Sequence, residues 1–218
     1  MDIVLKGYAN DYVCKGMNDG KVVVTPPKDD EDSSIKSGRI PQFSVVGNTV
    51  LYGATGGSLW VRGRGGERFA VRNSGALGVV EGLGDHGCEY MTAGKIVCLG
   101  QTGRNFGAGM TGGLAFILPD DNWLDGVSTN APYSFTEHVN PESVTLQSLT
   151  SSHKAAKAFL IETLKQHVED TGSRRAAKIL ANIDEAITKF IAVIPAAEKT
   201  NPLIVTDVQV NSEVAVKK

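Results

Sequence analysis

Short apolar runs succeed one another along the first half of the chain: KVVVT at 21–25, SLWV at 58–61, LGVV at 77–80, KIVCL at 95–99 and LAFIL at 114–118. They recur at fixed spacing. Gly57, Gly75, Gly94 and Gly113 stand 18, 19 and 19 residues apart, and Gly20 has the same local context 37 residues before Gly57. Aligned on these glycines, the second residue after the corner reads Val22, Leu59, Leu77, Ile96, Ala115, and the fourth reads Val24, Val61, Val79, Cys98, Ile117. Both columns are apolar and two residues apart, the signature of strands turning one face into a core. Two residues before the corner the column is polar, Asn18, Thr55, Asn73, Thr92, Thr111, and suits hydrogen bonding between copies. Ten residues before it stands a second small-residue ladder, Asn10, Gly47, Gly65, Gly84, Gly103.

Two corners per repeat describe a coil of short strands joined by bends where glycine permits positive φ. A repeat of 18–19 residues is too short for a strand-helix-strand unit of about 30. It predicts a mainly β fold, a right-handed, single-stranded parallel β-helix over 1–120, in which each strand pairs with its counterpart one coil later. Counting back from Gly20 places Ile3 and Leu5 in the inward columns, so residue 1 lies in mid-coil. Five or six coils at about 4.8 Å give a stub of about 24–29 Å with an open strand edge, which calls for a cap, a partner or more chain. Pro26, Pro27 and the acidic run 29–32 mark 26–44 as an excursion out of one coil.

After Pro119 the periodicity changes. Phe159, Leu160, Thr163, Leu164, His167 and Val168 repeat at three and four, as do Ala177, Leu180, Ile183, Ile187 and Phe190. Gly172 can close a first helix and Ser173 can cap a second. A C-terminal helical hairpin is predicted over 151–194, reached by a linker at 121–150 with a strand at Val144 to Leu149. In the tail, 195–218, Val208 alternates with Val210 and Val214 with Val216.

Composition narrows the class. Nineteen of the 25 glycines lie between Gly47 and Gly113, so the excess belongs to the repeat. A net charge of -2 excludes a protein built to grip phosphate backbones, and nucleic acid is not an expected partner. No apolar run approaches a membrane span or a signal-peptide core, which points to the cytoplasm. Cys14, Cys88 and Cys98 make a poor disulfide framework, since Cys14 and Cys88 share a column but stand three coils, about 14 Å, apart. All three are expected to be reduced, Cys98 in an inward column.

Candidate chemistry is sparse. Gly107, Gly109 and Gly112 spell GxGxxG, but a dinucleotide site needs a helix next, and Leu114 to Leu118 reads as another coil strand. His86, His138, His153 and His167 lack metal-ligand spacing. Many β-helix enzymes cleave polysaccharides with acids on neighbouring coils, which singles out Glu67, Asp85 and Glu89, with Glu67 and Asp85 in adjacent columns. Arg62, Arg64, Arg68 and Arg72 surround Glu67 and read as a mixed-charge exterior or docking face. No residue is assigned as catalytic, cofactor-binding or metal-binding.

The runs GNTVLYGATGG, GERFAVRNSGA, EGLGDHGCEYMTAGKIVCLG and NFGAGMTGG between Gly47 and Gly113 resemble the C-terminal GXGXG domain of glutamate synthase large subunits. ANDYVCKGMNDGKVVVTPP at 9–27, VNPESV at 139–144 and HVEDTGSRRAAKILAN at 167–182 extend the resemblance over about 3–194. It implies an oxidoreductase of glutamate biosynthesis and ammonia assimilation, converting glutamine, 2-oxoglutarate and reductant into two glutamates. In that family the glutaminase, FMN site and iron–sulfur cluster lie in upstream domains. This chain opens Met-Asp, has no N-terminal cysteine nucleophile and no close cysteine triplet. The resemblance therefore implies a non-catalytic scaffold whose partners are those catalytic domains, or a separate catalytic subunit, with self-association through the open first coil as a further expectation. Alternatives are a scaffold subunit of another redox complex, such as formylmethanofuran dehydrogenase, and an independent β-helix hydrolase or lyase.

Overall fold

A computed structural model describes residues 1–27, 43–119, 124 and 134–206. Among these the strands are β1 (Asp2–Lys6), β2 (Lys21–Thr25), β3 (Ser44–Val46), β4 (Ser58–Val61), β5 (Arg64–Gly65), β6 (Ser74–Val80), β7 (Ala93–Cys98), β8 (Leu114–Ile117), β9 (Val144–Ser148) and β10 (Ile191–Pro195). The helices are α1 (Lys154–Thr171), α2 (Arg174–Ala181) and the single turn α3 (Ile183–Ala186). The order β1-β2-β4-β6-β7-β8 is parallel throughout, one strand per coil, and makes a β-solenoid of about five turns. β10 then pairs antiparallel with β8, and β9 antiparallel with β10. Most of the excursion, 28–42, and the valines at 208, 210, 214 and 216 lie outside the described residues.

The strands are apolar on both faces because both are covered. Leu59, Val61, Val80, Ile96, Cys98, Ala115 and Ile117 point into the solenoid, while Val23, Trp60, Val79, Val97 and Phe116 face the helices. α1 and α2 answer with Ala156, Leu160, Leu164, Ala176 and Ile179, all fully buried. Each large aliphatic group among them contributes about 1.5–3 kcal/mol on leaving water. Gly172 ends α1 at φ +67°, its N–H donating to the Val168 carbonyl, and the Ser173 hydroxyl accepts from the Ala176 N–H at 3.0 Å. Both junction residues thus take the roles that the sequence predicts for them.

The third coil departs from the glycine alignment by one residue. Ser58 pairs with Leu77 and Trp60 with Val79, and the register shifts between Ser74 and Leu77. The corner column is therefore Gly20, Gly57, Ala76, Gly94, Gly113, and the inward columns contain Gly78 and Val80 in place of Leu77 and Val79. A slip of one residue moves a side chain to the opposite face, so Leu77 and Val79 belong to the layer beneath the helices. Asn73 explains how the chain absorbs the shift. Its amide oxygen accepts from the Gly75 and Ala76 N–H groups, and its Nδ2 donates to the Ala76 carbonyl, so it serves its own coil. The polar column contains Ser74 instead, whose hydroxyl donates to the Ala54 carbonyl, next to Thr55, which donates to Asn18 at 2.8 Å.

The second ladder shifts with it and reads Asn10, Gly47, Gly66, Gly84, Gly103, bonded backbone to backbone from coil to coil. Beyond this ladder comes an arc that the sequence does not announce. In every coil three alternate residues are left-handed: Tyr12, Cys14, Gly16; Thr49, Leu51, Gly53; Arg68, Ala70, Arg72; His86, Cys88, Tyr90; and Asn105, Gly107, Gly109. Their N–H groups donate alternately forwards and backwards, as Thr49 does to the Glu67 carbonyl and Leu51 to that of Val13. Such inter-coil bonds hold nine of the eleven non-glycine residues in a conformation that local preference opposes.

The second helix also ends earlier than its spacing predicts. α2 stops at Ala181, and Ile187 lies in a 3-10 turn. Phe190 is buried and followed directly by β10, which fills the place beside β8 where a sixth coil would otherwise sit.

Candidate functional site

The two ends of the solenoid differ. At the C-terminal end Phe135, Val139, Val144 and Val193 enter the core, with Phe106 and Phe135 edge to face at 5.7 Å. The last coil's donors find partners there: the Phe106 N–H on the His138 carbonyl and the Gly109 N–H on the Ser143 hydroxyl at 3.1 Å. At the other end the core opens into a concavity of about 350 Å³ whose lining includes Ile3, Leu5, Val13, Cys14, Met17 and Val22. Every residue of β1 is exposed, Val4 to 61% and Ile3 to 43%. Such an edge, apolar and unpaired among the described residues, is the kind of surface that folded chains cover with further chain or with a partner. Partial burial pushes the Cys14 thiol up to about 11, so it sits in this mouth as an inert, protonated group.

The acids singled out from the sequence are committed to other work. With the corrected register Glu67 and Asp85 occupy one column, Asp11, Asn48, Glu67, Asp85, Arg104, instead of adjacent ones. The column is a ladder of side-chain caps: the Asn48 N–H donates to Asp11, the Glu67 N–H to Asn48 and the Arg104 N–H to Asp85. The Arg104 backbone N–H and then its guanidinium, at 2.8 and 3.0 Å, hold the Asp85 carboxyl below its usual range. Glu89 meets His86 at 2.8 Å. Of the arginines around Glu67, Arg64 donates to the Leu83 carbonyl at 3.0 Å, while Arg68 and Arg72 stand exposed.

GxGxxG is explained by the coil. Gly107 and Gly109 take left-handed positions at φ +69° and +65°. Gly112 lies where an added Cβ would be 2.1 Å from the Thr92 carbonyl oxygen, and strand β8 follows instead of a helix. The motif thus offers no helix N-terminus for the phosphates of FMN or a dinucleotide. Nor do the cysteines fit an iron–sulfur cluster: Cys88 and Cys98 are buried in the core, and Cys14 lies apart at the open end. Among the described residues no His, Cys, Asp or Glu cluster has metal-binding geometry, and no helix is long and apolar enough to cross a membrane.

Sequence reading missed one polar cluster. Glu81, just past β6, is 4% exposed and receives the Ser173 hydroxyl and His167 Nε2, the latter at 3.4 Å. Arg175, 1% exposed, sits close enough to bias its charge and donates to the Leu99 carbonyl. Burial alone would raise the Glu81 carboxyl, but His167, Ser173 and Arg175 together outweigh it and hold it below the usual range. The Trp60 ring stacks on His167 at 6.2 Å. A serine, a histidine and a carboxylate meet here, yet both Ser173 and His167 address Glu81 and none of the three reaches solvent. The cluster fastens helices to solenoid and lacks the serine–histidine contact and access that nucleophilic chemistry needs.

Residues 1–196 match the family model described as the GXGXG motif. Over 214 residues the chain is 46% identical to ferredoxin-dependent glutamate synthase 2 of Synechocystis sp., a match covering 98% of the chain and 12% of that protein. It is 47% identical to the chloroplastic ferredoxin-dependent glutamate synthase 2 of Arabidopsis thaliana, over 93% of the chain and 11% of the relative. To the NADH glutamate synthase of Schizosaccharomyces pombe the identity is 42%, over 88% of the chain and 8% of the relative. The chain thus spans about an eighth or less of the length of these relatives, in the stretch that folds here as a β-solenoid with its helical flank. Its repeat, its two glycine ladders and its helical segment are those of one homologous unit, and the chain belongs to the GXGXG-motif family.

Proposed function

We propose that this chain is the structural GXGXG domain of a glutamate synthase, a rigid solenoid that orients the domains carrying glutaminase, FMN and iron–sulfur chemistry and does no chemistry itself. The observation that carries this reading is the open first coil. It presents a 350 Å³ apolar mouth and a strand edge that is unpaired among the described residues, at one end of a body whose other end is sealed by its own residues. A surface of that kind suits permanent packing against the rest of a larger enzyme. The engagement of Asp85 by Arg104, of Glu89 by His86 and of Glu81 by the helical flank supports the non-catalytic role and disfavours a polysaccharide-cleaving solenoid. Three cysteines outside any disulfide fit a reducing compartment such as the cytoplasm. The reaction served is the formation of two glutamates from glutamine and 2-oxoglutarate.

The test separates this chain from the remainder of the enzyme. Each part alone is expected to give no glutamine-dependent glutamate formation, and mixing them is expected to restore it. The double variant Ile3→Glu, Leu5→Glu, placed in the open mouth, should weaken that restoration at least tenfold. Activity of this chain by itself, or restoration indifferent to the double variant, would overturn the reading.

A further inference from the structure

The arc of left-handed residues carries a feature that the scaffold role leaves unused. Its last position is glycine in coils one, two and five, Gly16, Gly53 and Gly109, but Arg72 in coil three and Tyr90 in coil four. A side chain at positive φ costs stability that glycine does not. Here neither residue recovers that cost by entering the core: Arg72 is exposed and Tyr90 is 57% exposed. Arg68, at the first position of the arc in coil three, is likewise left-handed and exposed, and the three side chains meet at one place on the surface.

Arg72 and Tyr90 wall the same cleft, about 180 Å³ in volume, floored by Val71 and completed by Arg68 and Tyr52. Tyr90 is held in place by its neighbour. A Cβ added at Gly109 would stand 2.6 Å from the tyrosine ring, so the ring is seated where only glycine leaves room. Glu89 also lines the cleft, its carboxylate hydrogen-bonded to His86 at 2.8 Å, and Asp85 is held by Arg104 at 2.8 Å. Among the described residues the Arg68 and Arg72 guanidinium groups have no hydrogen-bond or ion-pair partner. The cleft therefore sets two planar cations, Arg68 and Arg72, against the single Glu89 carboxylate, and this excess of positive charge between aromatic walls is an arrangement that takes a further carboxylate.

We propose that this cleft is a docking point for an acidic side chain, aspartate or glutamate, presented by a protein partner. Its volume is below the roughly 300 Å³ at which pockets begin to enclose a whole small molecule. Its tyrosines and arginines are the residue types that dominate protein–protein hot spots. The proposal stands independently of the glutamate synthase role and of the open first coil.

The experiment follows the arginine Nε–H resonances of the labelled chain while acetyl-Gly-Glu-Glu-Gly-amide is added. Parallel titrations use glutarate and the corresponding glutamine peptide. The acidic peptide is expected to shift the Arg68 and Arg72 signals and to bind at least fivefold more tightly than glutarate, and the glutamine peptide to shift neither. Arg72→Gly restores the residue that three other coils use. It should raise the melting temperature by about 2–4 °C while weakening the peptide at least tenfold, so lost binding cannot be blamed on misfolding. Glutarate binding as tightly as the peptide would identify a small-anion site and overturn the proposal. So would an absence of shifts, unaltered peptide binding by Arg72→Gly, or a fall in that variant's melting temperature.

Discussion

The hydroxyl of Ser173 donates to the carboxylate of Glu81 across 92 residues of sequence, joining the turn between α1 and α2 to the end of strand β6. The same hydroxyl accepts from the Ala176 N–H, so one side chain both starts α2 and docks it. Ser173→Ala removes a helix cap and a buried charge-assisted hydrogen bond together and is expected to cost about 2–3 kcal/mol. Glu81→Ala should cost more, about 3–5 kcal/mol, because it leaves Arg175 buried without its counter-charge. Urea unfolding of the two variants checks both the size and the order, and equal effects would refute the assignment of Glu81 as the shared acceptor.

Acid should weaken the protein through two carboxyls. Glu81 and Asp85 both have folded pKa values below their ordinary ones. The unfolded chain therefore binds protons first as pH falls. The stability they contribute is complete above the unfolded values, about 4.3 for Glu and 3.9 for Asp, and is lost as pH drops through the lower folded values. Unfolding free energy measured from pH 6 to pH 2 should decline below about pH 4.5, and Glu81→Gln should flatten that decline. A slope unchanged in Glu81→Gln would show that the carboxyl does not titrate with folding.

The glycines divide into two kinds with different tolerances. Gly53 is left-handed at φ +62° with open space around its missing Cβ, so Gly53→Ala should cost only about 1 kcal/mol of backbone strain. Gly112 is not left-handed, but its Cβ would lie 2.1 Å from the Thr92 carbonyl oxygen, a backbone atom that cannot move without parting two coils. Gly112→Ala should cost about 3 kcal/mol or more, or prevent folding. Thermal melts of the pair decide the matter; similar losses would mean that φ alone governs the repeat.

One inward column runs from the open mouth into the core, and the same substitution should have graded effects along it. Ile3 pairs with Val22, and further along the column lies Ile96, wholly buried. Ile3, 43% exposed, should tolerate alanine at a cost below about 1 kcal/mol, whereas Ile96→Ala should cost about 2–5 kcal/mol. If Ile3→Ala were as damaging as Ile96→Ala in this chain on its own, the first coil would already be covered.

The architecture was legible because a solenoid writes its period into the chain: each coil must supply the same small residues at the same corners, so Gly57, Gly94 and Gly113 announce the repeat directly. The same logic exposed the structural role of Gly107, Gly109 and Gly112, and the junction at Gly172 and Ser173 followed from local capping chemistry. What the sequence left undecided was register in the third coil, where Gly75 imitates a corner that Ala76 actually forms. Two neighbouring small residues look alike to any alignment, and only strand pairing distinguishes them; the choice moved Leu77 and Val79 out of the core and put Glu67 in line with Asp85. The left-handed arc was invisible for a related reason, since residues such as Leu51 and Arg72 do not favour positive φ and are held there by hydrogen bonds to other coils. The Glu81 cluster joins residues 86 and 92 positions apart, and β10 takes its conformation from the exposed edge of β8. Local sequence thus determined the repeat, its corners and its caps, where the physics acts within one coil. Register, strained backbone and the seat of the helices were decided between distant segments, where it is the packing of one coil on the next that selects the outcome.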